Sequence, residues 1–384
     1  MSPVPIPPVD VMDRFDQDLF LARYWDRRPV LIPGSGLGPA PFDAHEVFEG
    51  AVIAAQRPAA DRVGFTLGPR LLRDPGDLLP QPEDGSFARY DRRLLRQVER
   101  EPFALLVRGL HTCHHPVWLR ARAFLAQLWD RVGQPLLGAT TTLFHGTTSP
   151  GRLPYIRGAT FLYTLLGHPR IRLGPDGQGW SARPEPGDLL YWPAGLPYAA
   201  EPCSPPAAAV HLGVGRTAPR PGEGLRQMLA PGSNPASPQG RWGGDDIHVR
   251  EEDGLHGLPP VLAEALAHHR EAARPAALER SLARQALRHA TDGGLRPVPP
   301  PARPGYFTDD DAVRAVERVL WTEAAGRRLV AACGHTLETD LTAPELSALL
   351  GLLNSGAEVA VGELTPPARS LLSRLAGFRA VVRL

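Results

Sequence analysis

The chain has 384 residues, and its 42 basic side chains, every one an arginine, face 41 acidic ones for a formal charge of +1. That length accommodates two or three domains, and that balance excludes a global electrostatic pull toward nucleic acid or membrane. The absence of lysine beside abundant Arg, Ala, Pro and Gly suggests a GC-rich bacterial source. Cys113, Cys203 and Cys333 form no CxxC pair, which suits a reducing cytoplasm better than a disulfide framework. The start, MSPVPIPPVD, lacks a basic region followed by an apolar run, and no stretch approaches the roughly 20 apolar residues of a membrane span. A cytoplasmic protein with no membrane or nucleic-acid partner is expected.

After a Pro-rich lead, Val11, Phe15, Leu19, Phe20 and Tyr24 fall at helical spacing and predict a helix over Asp10–Arg28. Pro29 ends it, and Val30–Ile32 reads as a strand. A second helix is predicted over Asp43–Gln56, capped by Asp43. A strand follows at Arg62–Leu67, then a charged helix near Arg92–Arg100 and an apolar strand at Phe103–Arg108. Pro116–Val132 reads as a helix with Trp118, Leu119, Phe124, Leu128 and Trp129 inward. The sequence His111-Thr112-Cys113-His114-His115 before it gathers soft ligands, but it reads better as a partly exposed loop than as a metal site. Gly138–Gly146 is a Thr-rich strand.

From Gly151 to Leu173 the chain is rich in β-branched and aromatic residues bounded by Gly and Pro, the pattern of strands. A Pro-Gly-Asp turn then leads to the apolar strand Leu189–Trp192, a Pro-Ala-Gly turn, a short return strand and Ala207–Gly215. Ala230–Gly244 is turn-rich. Val261–Ala273 and Ala276–His289 read as helices, and residues 297–305 (PVPPPARPG) as a stiff linker. The remainder reads as helix Asp309–Glu323, strand Arg328–Ala332, helices Ala343–Leu353 and Pro366–Ala376, and strand Phe378–Leu384.

Two separated stretches carry a family resemblance. The segment EPGDLLYWPAGLPY retains Gly187, Asp188, Leu190, Tyr191, Pro193 and Gly195 of the pattern Gly-Asp-x-Leu-Tyr-x-Pro-x-Gly-x-x-His, and FLARYWDRRPVLIPG matches the entry segment of the same group. The chain resembles the Jumonji-C, cupin-type 2-oxoglutarate oxygenases of the bacterial ribosomal-oxygenase group. The resemblance implies an α+β fold: a double-stranded β-helix barrel with N-terminal helices over residues 1–220, a helical, homodimer-forming region over 221–296, and a winged-helix domain over 306–384. The middle helix of that last domain, APELSALLGLLNSG, has no Arg, so DNA binding through it is not expected.

The resemblance also places the iron ligands, and here the sequence departs from it. The His-x-Asp positions fall at Pro154 and Ile156, the distal His position at Tyr198, and the basic residue for 2-oxoglutarate at Pro169, next to Arg170. Pro and Ile offer no donor atom, and a neutral phenol is a poor Fe(II) ligand. No cofactor is therefore expected. The favoured reading is a barrel that has lost its iron site and binds a peptide or protein through Tyr155, Tyr163, Arg170, Trp192, Tyr198 and His211. One alternative is a metal-independent enzyme acting on a peptide, with Tyr198 or His211 as acid or base. Another is an Fe(II)/2-oxoglutarate hydroxylase with atypical ligands. A substitute metal site from His145, His168 and His211 is disfavoured, because no two of them share the i, i+2 spacing of a strand pair.

Overall fold

The structure, a computed structural model, describes residues 8–56, 62–99, 101–135, 138–148, 158–175, 179–215, 251–252, 255–256, 270–271 and 274–384. The predicted helix Val261–Ala273 and turn-rich segment Ala230–Gly244 lie essentially outside them, as do Pro154, Tyr155 and Ile156. Contacts divide the chain into two units: Met1–Ala218 with Gly293–Pro300, and Pro219–Asp292 with Pro301–Leu384. Among the described residues no helix is long and apolar enough to cross a membrane.

The first unit contains β1 (Asp10–Val11), α1 (Gln17–Arg23), β2 (Val30–Ile32), α2 (Ala44–Gln56), β3 (Val63–Leu67), β4 (Arg70–Leu72), α3 (Phe87–Gln97), β5 (Phe103–Arg108) and α4 (His115–Val132). The barrel strands follow: β6 (Ala139–Gly146), β7 (Gly158–Leu166), β8 (Arg170–Leu173), β9 (Trp180–Ala182), β10 (Leu189–Trp192), β11 (Tyr198–Glu201) and β12 (Ala207–Gly215). A nine-stranded sheet runs β1-β2-β10-β7-β12-β6-β5-β3-β4, and a three-stranded sheet runs β11-β8-β9. Leu162, Leu190 and Trp192 of the large sheet pack in one cluster with Ile171, Leu173 and Ala182 of the small one. At the start of β7 the chain passes so close to β12 that a Cβ on Gly158 would sit 2.0 Å from the Val214 carbonyl oxygen.

Side chains alternate across a strand, so register assigns every residue a face. Leu31, Leu190, Leu162, His211 and Thr142 lie side by side across five strands and share the face turned to the small sheet. The adjacent row, Val30, Tyr191, Phe161, Leu212 and Thr141, takes the other face. That outer face is covered by helices: Phe20 of α1 stands edge-on to Tyr191 at 4.8 Å, and Phe124 of α4 edge-on to Phe161 at 5.5 Å.

Several predicted elements are corrected. The helix expected over Asp10–Arg28 starts only at Gln17, where the Asp16 carboxylate accepts the Leu19 amide. Upstream, Asp10 and Val11 pair in parallel with Val30 and Leu31, and Val11 is 55% exposed, so its helical spacing was fortuitous. The charged helix lies earlier than expected because Ser86 caps it, and Leu119 of α4 faces outward. By contrast, Asp43 caps α2 as its position implies, accepting the amides of His45 and Glu46. The end of the expected helical region, from Gly293, packs on the barrel unit. There Trp129 donates to the Gly293 carbonyl at 2.8 Å, and Leu295 bridges in parallel to Ala139.

The second unit contains β13 (Glu251–Glu252) paired with β14 (Leu255–His256), then α5 (Pro275–Thr291), β15 (Ala312–Ala315), β16 (Leu320–Ala324), β17 (Arg327–Ala332), β18 (His335–Thr339), α6 (Ala343–Asn354), β19 (Val359–Ala360), α7 (Pro366–Gly377) and β20 (Val381–Arg383). Two strands, β15 and β16, replace most of the helix expected over Asp309–Glu323. The cause lies in two tight turns, Ala325-Gly326 (φ 47° and 71°) and Cys333-Gly334 (φ 50° and 74°), which fold β16, β17 and β18 into a meander. Positive φ at both central residues matches the strand twist of a two-residue hairpin. α5 lies on this meander: Leu287 packs with Ala324, Leu329 and Ala331, while Glu279 and Thr291 accept the amides of Ala325 and Gly334 in the two turns. A second sheet, β19-β15-β20, shares this unit with α6 and α7.

Candidate functional site

Trp192, Tyr198 and His211 converge between the large sheet and the small one. The rings of Trp192 and Tyr198 are 5.0 Å apart, and His211 lies 6.1 Å from each. β10 supplies Trp192 on the same face as Leu190, β12 supplies His211 beside Leu162, and β11 brings Tyr198 from the small sheet. Leu162, Ile171, Leu173, Leu190 and Ala209 fill the space around them. Trp192 is 2% exposed and His211 4%, so both belong to the packed interior.

The polar groups in this cluster are poorly served. Neither the Tyr198 hydroxyl nor His211 Nδ1 has a hydrogen-bond partner among the described residues. Burial pushes the His211 imidazole down to about 4, so it is neutral at pH 7, and burial raises the Tyr198 phenol above its ordinary range. The cluster therefore presents a neutral base and a neutral acid on an apolar floor.

The other expected residues do not join them. Tyr155 lies outside the described residues. Tyr163 takes the outer face, in register with Val210 and one residue from Leu162, and sits 6.0 Å from Phe42 beside a groove of about 420 Å³. Arg170 is exposed on β8, where Ile171 and Leu173 take the inward positions. His145, His168 and His211 are also apart. His145 is three residues along β6 from Thr142, the partner of His211, and so lies on the opposite face, while His168 is exposed. His145 is fully buried, with Nε2 2.8 Å from Asp91 Oδ1 between the rings of Phe87, Tyr90 and Phe103.

The His/Cys-rich segment before α4 is buried at His111, Thr112 and Cys113 and partly exposed at His114 and His115, and its members diverge. His111 is fully buried with Nδ1 2.8 Å from Thr141 Oγ1, and burial takes its imidazole down to about 4 against the backbone at Arg296 and Pro297. Cys113 Sγ accepts from Arg62 at 3.1 Å, His114 lies 3.5 Å from Glu49, and His115 stacks on Trp118.

The retained half of the glycine-aspartate motif is a scaffold. Asp188 accepts the amides of Gly34 and Glu185, each at 2.9 Å, and so ties the turn before β10 to the exit of β2. The Tyr191 hydroxyl accepts the Asp26 amide at 2.9 Å. Asp188→Ala is expected to lower stability by about 2–4 kcal/mol, because it strips two backbone amides of a charged acceptor. Urea unfolding measures this, and a loss below about 0.5 kcal/mol would contradict it.

An Fe(II)/2-oxoglutarate site calls for hard and borderline donors such as two imidazoles and a carboxylate. Here the described residues bring together one imidazole, one phenol and alkyl side chains, and among them no three His, Cys, Asp or Glu groups could hold an ion. Positions 154 and 156, which the family pattern gives to the first two ligands, lie outside the described residues.

No family model matches the sequence, and no curated protein does either. Solved structures do resemble the chain. An X-ray structure of YcfD from Escherichia coli aligns over 98% of this chain and 100% of that one, at 16% identity and a TM-score of 0.51. A structure of the same protein, described as a ribosomal oxygenase in complex with cobalt and succinic acid, aligns over 96% and 98%, at 16% identity and a TM-score of 0.50. The chain thus has a mixed α+β fold similar to that of the E. coli ribosomal oxygenase along its length, and at this identity the likeness is one of fold.

Proposed function

We propose that this protein is an oxygenase-fold protein that has lost the Fe(II)/2-oxoglutarate site and binds a peptide or protein at the mouth of its barrel. The observation that carries this reading is the Trp192–Tyr198–His211 cluster. A phenol occupies the place the family pattern gives to an imidazole, and an indole fills the space beside it. Of the motif residues that survive, Asp188 and Tyr191 bond to backbone amides and so keep the architecture rather than the chemistry. Tyr198, less buried than its two neighbours, offers part of its ring to a partner while its hydroxyl stays buried.

The wider expectations belong to the same reading: a homodimer formed through the helical region, a winged-helix-type end and a cytoplasmic location. α5 commits one face to its own meander and leaves Leu282 43% exposed for a second copy. A second reading, a metal-independent enzyme acting on a peptide, draws on the neutral His211 and Tyr198 with their unpartnered polar atoms.

Reconstitution with Fe(II) and 2-oxoglutarate tests the first reading. The expected result is iron far below one equivalent by elemental analysis and no succinate above the buffer control. Stoichiometric iron with succinate formation would restore the hydroxylase. Mass spectrometry of a co-purified peptide separates the other two: an unchanged mass supports binding, and a changed mass supports catalysis.

A further inference from the structure

The helix α3 carries arginines at positions 89, 92, 93 and 96, the i, i+3, i+4, i+7 spacing that puts all four on one face. They line a groove of about 680 Å³ together with Gln81, Glu83 and Asp84. Arg93 is engaged there: it holds Asp84 through two nitrogens at 2.7 and 2.8 Å and reaches the Leu79 carbonyl. Arg89, Arg92 and Arg96 are exposed, and Arg96 donates from Nε to the Arg92 carbonyl. In a chain of net charge +1 this is a local concentration of positive charge, left over after the groove's one buried carboxylate has been neutralised.

We propose that this groove is a docking surface for an acidic segment of a polypeptide. Its volume exceeds what a single anion fills, and its cationic row extends about 10 Å along the helix, which suits a chain with repeated negative charge. Guanidinium groups hold carboxylates bidentately. The other lining groups decide between kinds of chain. Glu83 offers a carboxylate that the N–H groups of a peptide can donate to, whereas the acceptor-only phosphate backbone of a nucleic acid is only repelled by it. Both aromatic rings of α3, Phe87 and Tyr90, are buried, Tyr90 with Arg93 over its face, so among the described residues the helix offers no platform for base stacking. This surface lies outside the barrel and does not depend on whether the iron site is lost.

Fluorescence anisotropy on the full chain tests the proposal, with a fluorescein-labelled twelve-residue peptide of alternating Glu and Ser, its Lys/Ser counterpart and a twelve-nucleotide single-stranded RNA as probes. The Glu/Ser peptide is expected to bind at low ionic strength and to weaken with salt. The triple variant Arg89→Glu, Arg92→Glu, Arg96→Glu is expected to weaken it at least about tenfold. Its thermal midpoint should stay near that of the parent, since all three side chains are exposed. A control variant, Arg303→Glu, Arg314→Glu, Arg318→Glu, is expected to bind as the parent does. Equal losses in both variants, no binding of the Glu/Ser peptide, or RNA binding at least as tight and abolished by the α3 variant would each overturn the proposal.

Discussion

Lowering the pH from 7 toward 4 is expected to remove roughly 3 kcal/mol of stability through His111 and a similar amount through His211. Both imidazoles are fully shielded and titrate at about 4 in the folded chain, against 6.5 when unfolded. Below pH 6.5 the unfolded chain takes up protons that the folded one refuses, so the folded state loses ground until the folded groups titrate. The stability is complete above pH 6.5 and gone once the pH has passed down through about 4. Against a typical total of about 5–15 kcal/mol, two such groups bring the barrel unit near its unfolding limit. Urea midpoints measured at pH 7, 6, 5 and 4 follow this directly. His211→Leu should remove about half of the slope, and a midpoint that stays flat from pH 7 to 4.5 would refute the buried neutral assignment. Asp84, held below the usual carboxylate range by its Arg93 and Gln81 hydrogen bonds despite the opposing effect of burial, acts only in a lower window, below pH 3.8.

Trp192→Ala is expected to destabilise the barrel unit by about 3–5 kcal/mol, the usual cost of deleting a large buried ring whose surroundings relax only in part. The indole is 2% exposed and packs against Tyr198, His211 and the aliphatic lining of the interior. The variant should also let water reach His211 and return its pKa toward 6.5, which NMR titration of the imidazole detects. Trp192→Phe should cost far less. Were Trp192 a stacking surface for a bound peptide, Trp192→Ala would weaken binding and leave the urea midpoint nearly unchanged.

Much of the barrel was legible in the residues. Leu189–Trp192, Ala207–Gly215 and Phe103–Arg108 are strands with the predicted bounds, because apolar runs closed by Pro, Gly and Asp leave little choice of ends. The meander in the second unit was not legible. Its turns are Ala-Gly and Cys-Gly, where a hairpin of this type would be expected to show Asn-Gly or Asp-Gly, so the usual signal was muted. The basic face of α3 was visible as a spacing, but nothing in the sequence indicated that Asp84 would engage one arginine and leave three free of that carboxylate.

The same division holds for the candidate site. The sequence by itself determined which atoms are available: a phenol at position 198, an indole at 192, an imidazole at 211 and no donor at 154 or 156. It also determined the Pro-Gly-Asp turn, in which Asp188 accepts the nearby Glu185 amide, while the Gly34 amide it accepts as well is brought to it only by the pairing of β2 with β10. Which of those side chains meet was decided only by strand register. A shift of one residue turns a side chain to the other face of a sheet, so Tyr163 and His145 face the helices while Leu162 and His211 face the interior. Composition cannot encode that parity. It is fixed by the hydrogen-bonded pairing of β10, β7, β12 and β6, strands brought together from distant parts of the chain.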